Sequence, residues 1–267
     1  MTTKTIKQNK MPELLPGEIP EWIEKHYSDS LDANLSMYHL IHLSEKGIRG
    51  LREFPQVAAV LWKVQGRENH PDSKKKIEAF EKDAALAKAE VENDFPLLHG
   101  LSVVGLWSWL EHYVKGLSAL WIEHREDAAM ASELHKLEIR YGDYMALAKS
   151  ERAKYIIDLL EQKLSSPLKQ GIDRFESILG VFDLSGPVPK TLKDQLFELQ
   201  QVRNVVAHRN GVVDNRLVKK CPWLKVKNGQ LVKISRDMVN AYGSASVEYL
   251  GVIHERVKKQ YGVMDKE

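Results

Sequence analysis

Apolar residues recur at three- and four-residue spacing through most of the chain, and the elements they predict are helices. Weakly amphipathic stretches predict helices at about residues 19–29 and 33–52. The run Val57-Ala58-Ala59-Val60-Leu61-Trp62 predicts another at about 55–66. Asn69-His70-Pro71-Asp72-Ser73 interrupts the pattern, and Ser73 with Glu78 nearby marks the start of a highly charged helix at about 74–93. Pro96, well tolerated in a first turn, opens the most apolar segment, predicted helical to about residue 124. Helix is also expected from Asp127 to Arg140 and, with Ser150 as cap, at about 151–164. Residues 1–17 are polar and broken by Pro12 and Pro16, and read as a loose tail.

Ser185-Gly186-Pro187-Val188-Pro189 is a breaker. Thr191-x-x-Asp194 resembles a capping box, and it opens a helix that Asn210-Gly211 should stop after Arg209. One stretch alternates as a strand does: Leu224 to Ile234, with Asn228-Gly229 supplying the positive φ angles of a tight turn. It predicts a small β-hairpin over about 223–234. Ser235 then caps a last helix to about Gln260. The pattern as a whole predicts an all-α fold with one small hairpin.

Composition adds a core to this picture: 43% of residues are apolar, which excludes a disordered chain. The apolar stretch Leu97–Ile122 has the length of a membrane span. His99, Glu111, His112 and Lys115 interrupt it, however, so it reads as a buried helix of a soluble protein. Cys221 is the single cysteine, which rules out a disulfide framework or a Cys-rich zinc site within one chain. With a polar start, Met1-Thr2-Thr3-Lys4, that lacks the apolar run of a secretory signal, the expected compartment is the cytoplasm. The formal charge of +2 does not announce a nucleic-acid binder, but its distribution is uneven. Between Arg209 and Arg236 lie Arg209, Arg216, Lys219, Lys220, Lys225, Lys227, Lys233 and Arg236 against the single acid Asp214. This local +7 leaves −5 for the rest. A basic strip on an otherwise acidic molecule fits a polyanionic substrate.

The candidate chemistry lies where this strip begins. Leu192, Leu196, Leu199 and Val206 form an apolar stripe along the helix 192–209, and Arg203 falls on it. A buried unpaired charge costs several kcal/mol. Arg203 therefore needs an internal partner such as Glu111, or else it faces an anion in a groove or a second subunit. Asn204 and His208 are four apart and share a face. His208 sits in the last turn, where the helix dipole favours an imidazolium and suits a residue that moves protons near neutral pH. Trp223, within the strip, either stacks on an unpaired base or anchors the hairpin. His39 and His42 could share a face and hold a metal, but no third ligand is evident. No Gly-rich phosphate loop or nucleophile elbow is present, and no cofactor is implied.

The run Arg203-Asn204-Val205-Val206-Ala207-His208-Arg209-Asn210-Gly211-Val212-Val213-Asp214 resembles the signature of HEPN-domain proteins: Arg, a polar residue, a short spacer and His, with a polar-Gly-hydrophobic-Asp tail in a subset. Its place in the penultimate helix, and Glu111 in a long apolar helix upstream, extend the likeness over about 95–262. Residues 1–94 form a helical extension of unknown role, and 263–267 a tail. The resemblance implies a helical bundle that pairs with a second copy, bringing two motifs into one cleft. It also implies metal-independent RNA cleavage in which the 2′-hydroxyl attacks the adjacent phosphate to give a 2′,3′-cyclic phosphate. In that scheme Arg203, Asn204 and His208 are catalytic, and Arg209, Lys219, Lys220, Trp223, Lys225 and Lys227 meet the RNA. Such domains serve in toxin–antitoxin and anti-phage systems, so an antitoxin or a nucleotidyltransferase is an expected partner. Other members are inactive modules that bind RNA or protein.

Overall fold

Helix Pro96–His124 (α4) is the axis of the molecule. Val103, Leu106, Trp107, Leu110, Tyr113, Val114, Leu117 and Trp121 are buried along nearly its whole length. A helix apolar on most sides is stable only when enclosed. In this computed structural model, which describes residues 18–164 and 169–263, α4 is enclosed by Glu21–Leu51 (α1), Lys149–Leu164 (α7), Asp173–Leu179 (α8), Lys190–Arg209 (α9) and Arg236–Gln260 (α11). Phe54–Val64 (α2) and Pro71–Glu92 (α3) pack on one another and on α1, and contribute nothing to the main core. The remaining helices, Glu126–Ala129 (α5), Tyr141–Ala146 (α6) and Asn215–Lys220 (α10), are short. The fold is all-α, and among the described residues no strand forms and no helix is long and apolar enough to cross a membrane. The expected tail 1–17 lies outside the described residues, as does most of the expected tail 263–267.

The start of α4 is set by its neighbours. Asp94 and Phe95 both have positive φ (60° and 56°), an unfavourable conformation for residues with a Cβ. Burial of the Phe95 side chain and a backbone hydrogen bond from Phe95 N–H to the Glu90 carbonyl (2.6 Å) offset that cost. The Glu90 carboxylate accepts from the N–H groups of Leu97 and Leu98 (3.4 Å each), placing an acid at the positive end of the helix. The boundary expected near residue 94 thus coincides with a sharp turn, yet packing crosses it. Ile23 of α1 is in the core, and the ring of His26 stacks on Tyr113 of α4.

Several local expectations change. The helices expected at 19–29 and 33–52 are one. Ser30 turns its hydroxyl back to the His26 carbonyl (2.8 Å), and its own carbonyl accepts from Trp109 Nε1 (2.8 Å), so packing carries the helix through the polar stretch. Helix α3 starts at Pro71 with His70 as its cap rather than near Ser73. Lys149, not Ser150, begins α7. Residues 127–140 give only a single α turn and the 3₁₀ turn Leu134–Lys136. Ala128 is the only residue these two turns bury, too little to sustain a longer helix.

The expected hairpin is corrected as well. Asn228-Gly229 does turn, with Gly229 at φ 82°. The first arm fails because Pro222–Leu224 is a 3₁₀ turn and Lys225 is left-handed (φ 52°). Residues 230–232 instead meet the segment that leaves α9, through a single antiparallel bridge, Val212 to Leu231. Val213 N–H donates to the Gln230 carbonyl (2.8 Å) and Val232 N–H to the Gly211 carbonyl (2.9 Å).

Candidate functional site at the end of helix α9

Helix α9 follows Pro189 and begins at Lys190, so Thr191 lies inside the helix and the expected capping box does not form. Its buried residues are Leu192, Leu196, Leu199, Gln201, Val202 and Val205. Steps of four and then of three make the stripe rotate around the helix toward the C-terminus. As a result Val202 and Val205 occupy the core, while Arg203 and Val206 are half-buried at its margin. Of the alternatives left by the sequence for Arg203, the internal pair with Glu111 does not form. Glu111 is bonded to Arg174 (3.4 Å) and Lys115 (3.3 Å). It lies eleven residues along α4 from Gly100, which faces Val206, or about 16 Å at 1.5 Å per residue.

The helix ends as the sequence predicts. Asn210 is left-handed (φ 52°), Gly211 follows at φ 78°, and Gly211 N–H closes on the Val205 carbonyl (3.1 Å). The next residues hook onto 230–232, and Asp214 caps α10 by accepting from Leu217 N–H (2.8 Å). The other carboxylate oxygen of Asp214 takes Arg209 Nη1 (3.3 Å). The polar-Gly-hydrophobic-Asp tail thus has a physical role here. It turns the chain off α9, starts α10 and orients Arg209.

Three of the sequence-predicted residues form one cluster. Arg203 Nη1 lies 3.3 Å from Asn204 Oδ1 and 3.3 Å from His208 Nε2. A guanidinium can only donate, so Nε2 is the acceptor and this geometry fits a neutral imidazole protonated at Nδ1. His208 itself is exposed. Among the described residues the Arg203 Nε is buried and without a hydrogen bond, as are those of Arg52, Arg152 and Arg174.

Beside this cluster a cleft of about 420 Å³ opens between α9 and α10. Gln201, Asn204, Val205, His208, Arg209, Asp214, Arg216 and Leu217 line it. Gln201 was not foreseen. Its spacing to Asn204, Val205 and His208 (i, i+3, i+4, i+7) is the signal that places all four on one face.

The rest of the basic strip is spread out. Lys219, Lys225 and Lys227 are exposed, and Lys220 Nζ contacts Gln170. Trp223 does not reach the cluster. Its indole N–H contacts Glu198, ten residues before His208 and so about 15 Å back along α9, and the ring lines a separate depression with Phe197 and Lys193. Burial pushes the Cys221 thiol up to about 12, with the Glu198 carboxylate adding to the effect, so it is not a nucleophile at neutral pH. His42 Nδ1 accepts from Arg236 Nη2 (3.1 Å), and no group of three or more potential metal ligands forms among the described residues. No family model, curated protein or solved structure matches this chain.

Proposed function

We propose that this protein is an endoribonuclease of the HEPN type, cleaving RNA by attack of a 2′-hydroxyl on the adjacent phosphate without a metal ion. The observation that carries the reading is the contact of a single guanidinium nitrogen, Arg203 Nη1, with both Asn204 and His208 on an exposed helix end. In this reading the phosphate draws Arg203 to itself. That releases His208 Nε2, whose lone pair then accepts the 2′-hydroxyl proton. The O2′–P bond forms and the P–O5′ bond breaks. A protonated histidine, that of a second copy in a shared cleft, supplies the proton to the leaving 5′ oxygen. Arg203 stabilises the charge on the phosphoryl oxygens, and Asn204 orients Arg203. Lys219, Lys220, Lys225 and Lys227 attract the RNA backbone. Pairing with a second copy is supported by exposed apolar side chains around the motif: Leu97 (61% exposed) and Leu101 (70%) flank Gly100, and Leu231 (67%) lies against Gly211. A role as a toxin or anti-phage effector, with an antitoxin or nucleotidyltransferase partner, follows from the family likeness.

The alternative, a catalytically silent module that binds RNA or protein, is favoured by the same contact. Arg203 and His208 already satisfy one another within one chain. RNA digestion in EDTA separates the two. The wild type is expected to yield 2′,3′-cyclic phosphate ends, with His208→Ala at least ~10²-fold slower and RNA affinity nearly unchanged. Equal rates for the two proteins would move the assignment to the silent module.

A further inference from the structure

The cleft between α9 and α10 holds more than the Arg203–His208 cluster requires. Its floor is made by three side chains almost inaccessible to solvent: Val205 (3% exposed), Leu217 (1%) and Gln201 (3%). Around the two apolar side chains the lining is polar or charged (Gln201, Asn204, His208, Arg209, Asp214 and Arg216), which suits a polar, anionic small molecule, and about 420 Å³ is in the usual range for a small-molecule site.

The orientation of the Gln201 amide is fixed by a chain of contacts. Gly171 N–H donates to Gln200 Oε1 (2.7 Å), which makes that atom the oxygen. Gln201 Nε2 then donates to the same Gln200 Oε1 (3.0 Å). The Gln201 amide oxygen is left as the acceptor at the cleft floor, with no hydrogen bond of its own among the described residues. At the rim Arg209 is engaged by Asp214, whereas Arg216 is exposed and makes no hydrogen bond or ion pair among the described residues.

We infer that this cleft is a nucleobase subsite that selects the nucleotide next to the scissile phosphate. The inference rests on the ribonuclease reading for its place in the reaction. The base lies on Val205 and Leu217. The Gln201 oxygen accepts from its edge, and Arg216 takes the neighbouring phosphate. An unpaired acceptor open to the cleft favours a base that presents an exocyclic amine, such as cytosine, and disfavours uracil, which presents a carbonyl oxygen at the corresponding position. Cleavage would therefore have a base preference set by Gln201, a residue outside the Arg203–His208 cluster.

The test is equilibrium binding of cytidine 3′-monophosphate and uridine 3′-monophosphate at low salt. The wild type is expected to bind the cytidine compound about tenfold more tightly. Gln201→Leu should bring the two affinities together, and Arg216→Ala should weaken both equally. Since Gln201 is buried, circular dichroism checks the fold of that variant. Arg216→Ala, an exposed change, keeps the inference testable if Gln201→Leu misfolds. Equal affinity for the two nucleotides in the wild type, absence of binding, or a preference that survives Gln201→Leu would overturn it. Cleavage is read separately: selective nucleotide binding without RNA cleavage would sink the ribonuclease reading and leave the subsite standing. Cleavage that depends on His208 but is indifferent to base would do the reverse.

Discussion

Helices α4 and α2 both carry dense apolar sequence, and the fold treats them in opposite ways. Trp107, Leu110, Tyr113, Val114 and Leu117 of α4 are each at most 2% exposed. In α2 the buried positions are Pro55 and Ala58, while Val57, Val60, Leu61 and Val64 are 50%, 63%, 53% and 81% exposed. The exposed four recur at i, i+3, i+4 and i+7, the pattern of a helix face that seeks a core. The difference is one of position. Helix α4 is packed by five helices (α1, α7, α8, α9 and α11), whereas α2 meets α3 and the end of α1, with Phe54 and Trp62 on Phe80 as its aromatic contacts (4.8 and 6.1 Å). Hydropathy alone therefore reports a tendency to be covered, and topology decides whether the chain itself does the covering.

The largest expected effect lies in α4. Trp107 stacks on Phe175 of α8 at 5.0 Å and is fully enclosed. Trp107→Ala should cost about 3–5 kcal/mol, measured from the urea midpoint at constant m. A loss under about 1 kcal/mol would mean that α4 is not the axis described.

A smaller effect tests whether α1 belongs with α4 or with α2. His26 donates through Nε2 to the Tyr113 carbonyl (2.9 Å) and lies so close to Gly116 that a Cβ there would stand 2.6 Å from its Cε1. Burial lowers its pKa, only partly opposed by the bond to Tyr113. The unfolded chain, with a histidine near 6.5, then binds more protons in mildly acid solution, so stability rises with pH. The contribution is complete above about 6.5 and is lost as pH falls through the lowered folded value. Urea midpoints should decline from pH 7 to 5, and His26→Gln should flatten that decline. His254, also lowered by burial, keeps part of the slope. An unchanged slope in His26→Gln would place the proton uptake elsewhere and undo the proposed docking of α1.

The same distinction between tendency and topology explains what was legible in the sequence. Pro96 and the long apolar run fixed α4, and Asn210-Gly211 fixed the end of α9, because these signals are local. The motif cluster was legible for the same reason: Asn204 and His208 share one face by spacing alone. The Asn228-Gly229 turn was local too, but its pairing was not. The arm after it bonds to residues 211–213, some eighteen residues back, and the left-handed Lys225 removes the near arm. Arg203 was misplaced because a stripe drawn at fixed period ignores the rotation that puts Val202 and Val205 inside. Glu111, named as one possible internal partner, is too far along α4. Arg216 was visible only as one charge among eight. Its neighbourhood exists because Asp214 starts a six-residue helix that carries no sequence signal strong enough to predict.

The smallest expected effect belongs to α2. If its outer face meets only water in the isolated chain, replacing Val60 and Val64 together by Ser removes little apolar burial, since both are already more than three-fifths exposed. Surface changes of this kind fall within about 0.5 kcal/mol. Serine lowers helix propensity only slightly relative to valine, if at all, so that term does not blur the result. The double variant should therefore keep its urea midpoint and its mass by light scattering, in contrast with Trp107→Ala. A stability loss above about 1 kcal/mol, or a drop in mass, would show that the face is covered in solution. The apolar pattern of α2 would then be a buried surface of the assembled protein and no exception to the rule that α4 follows.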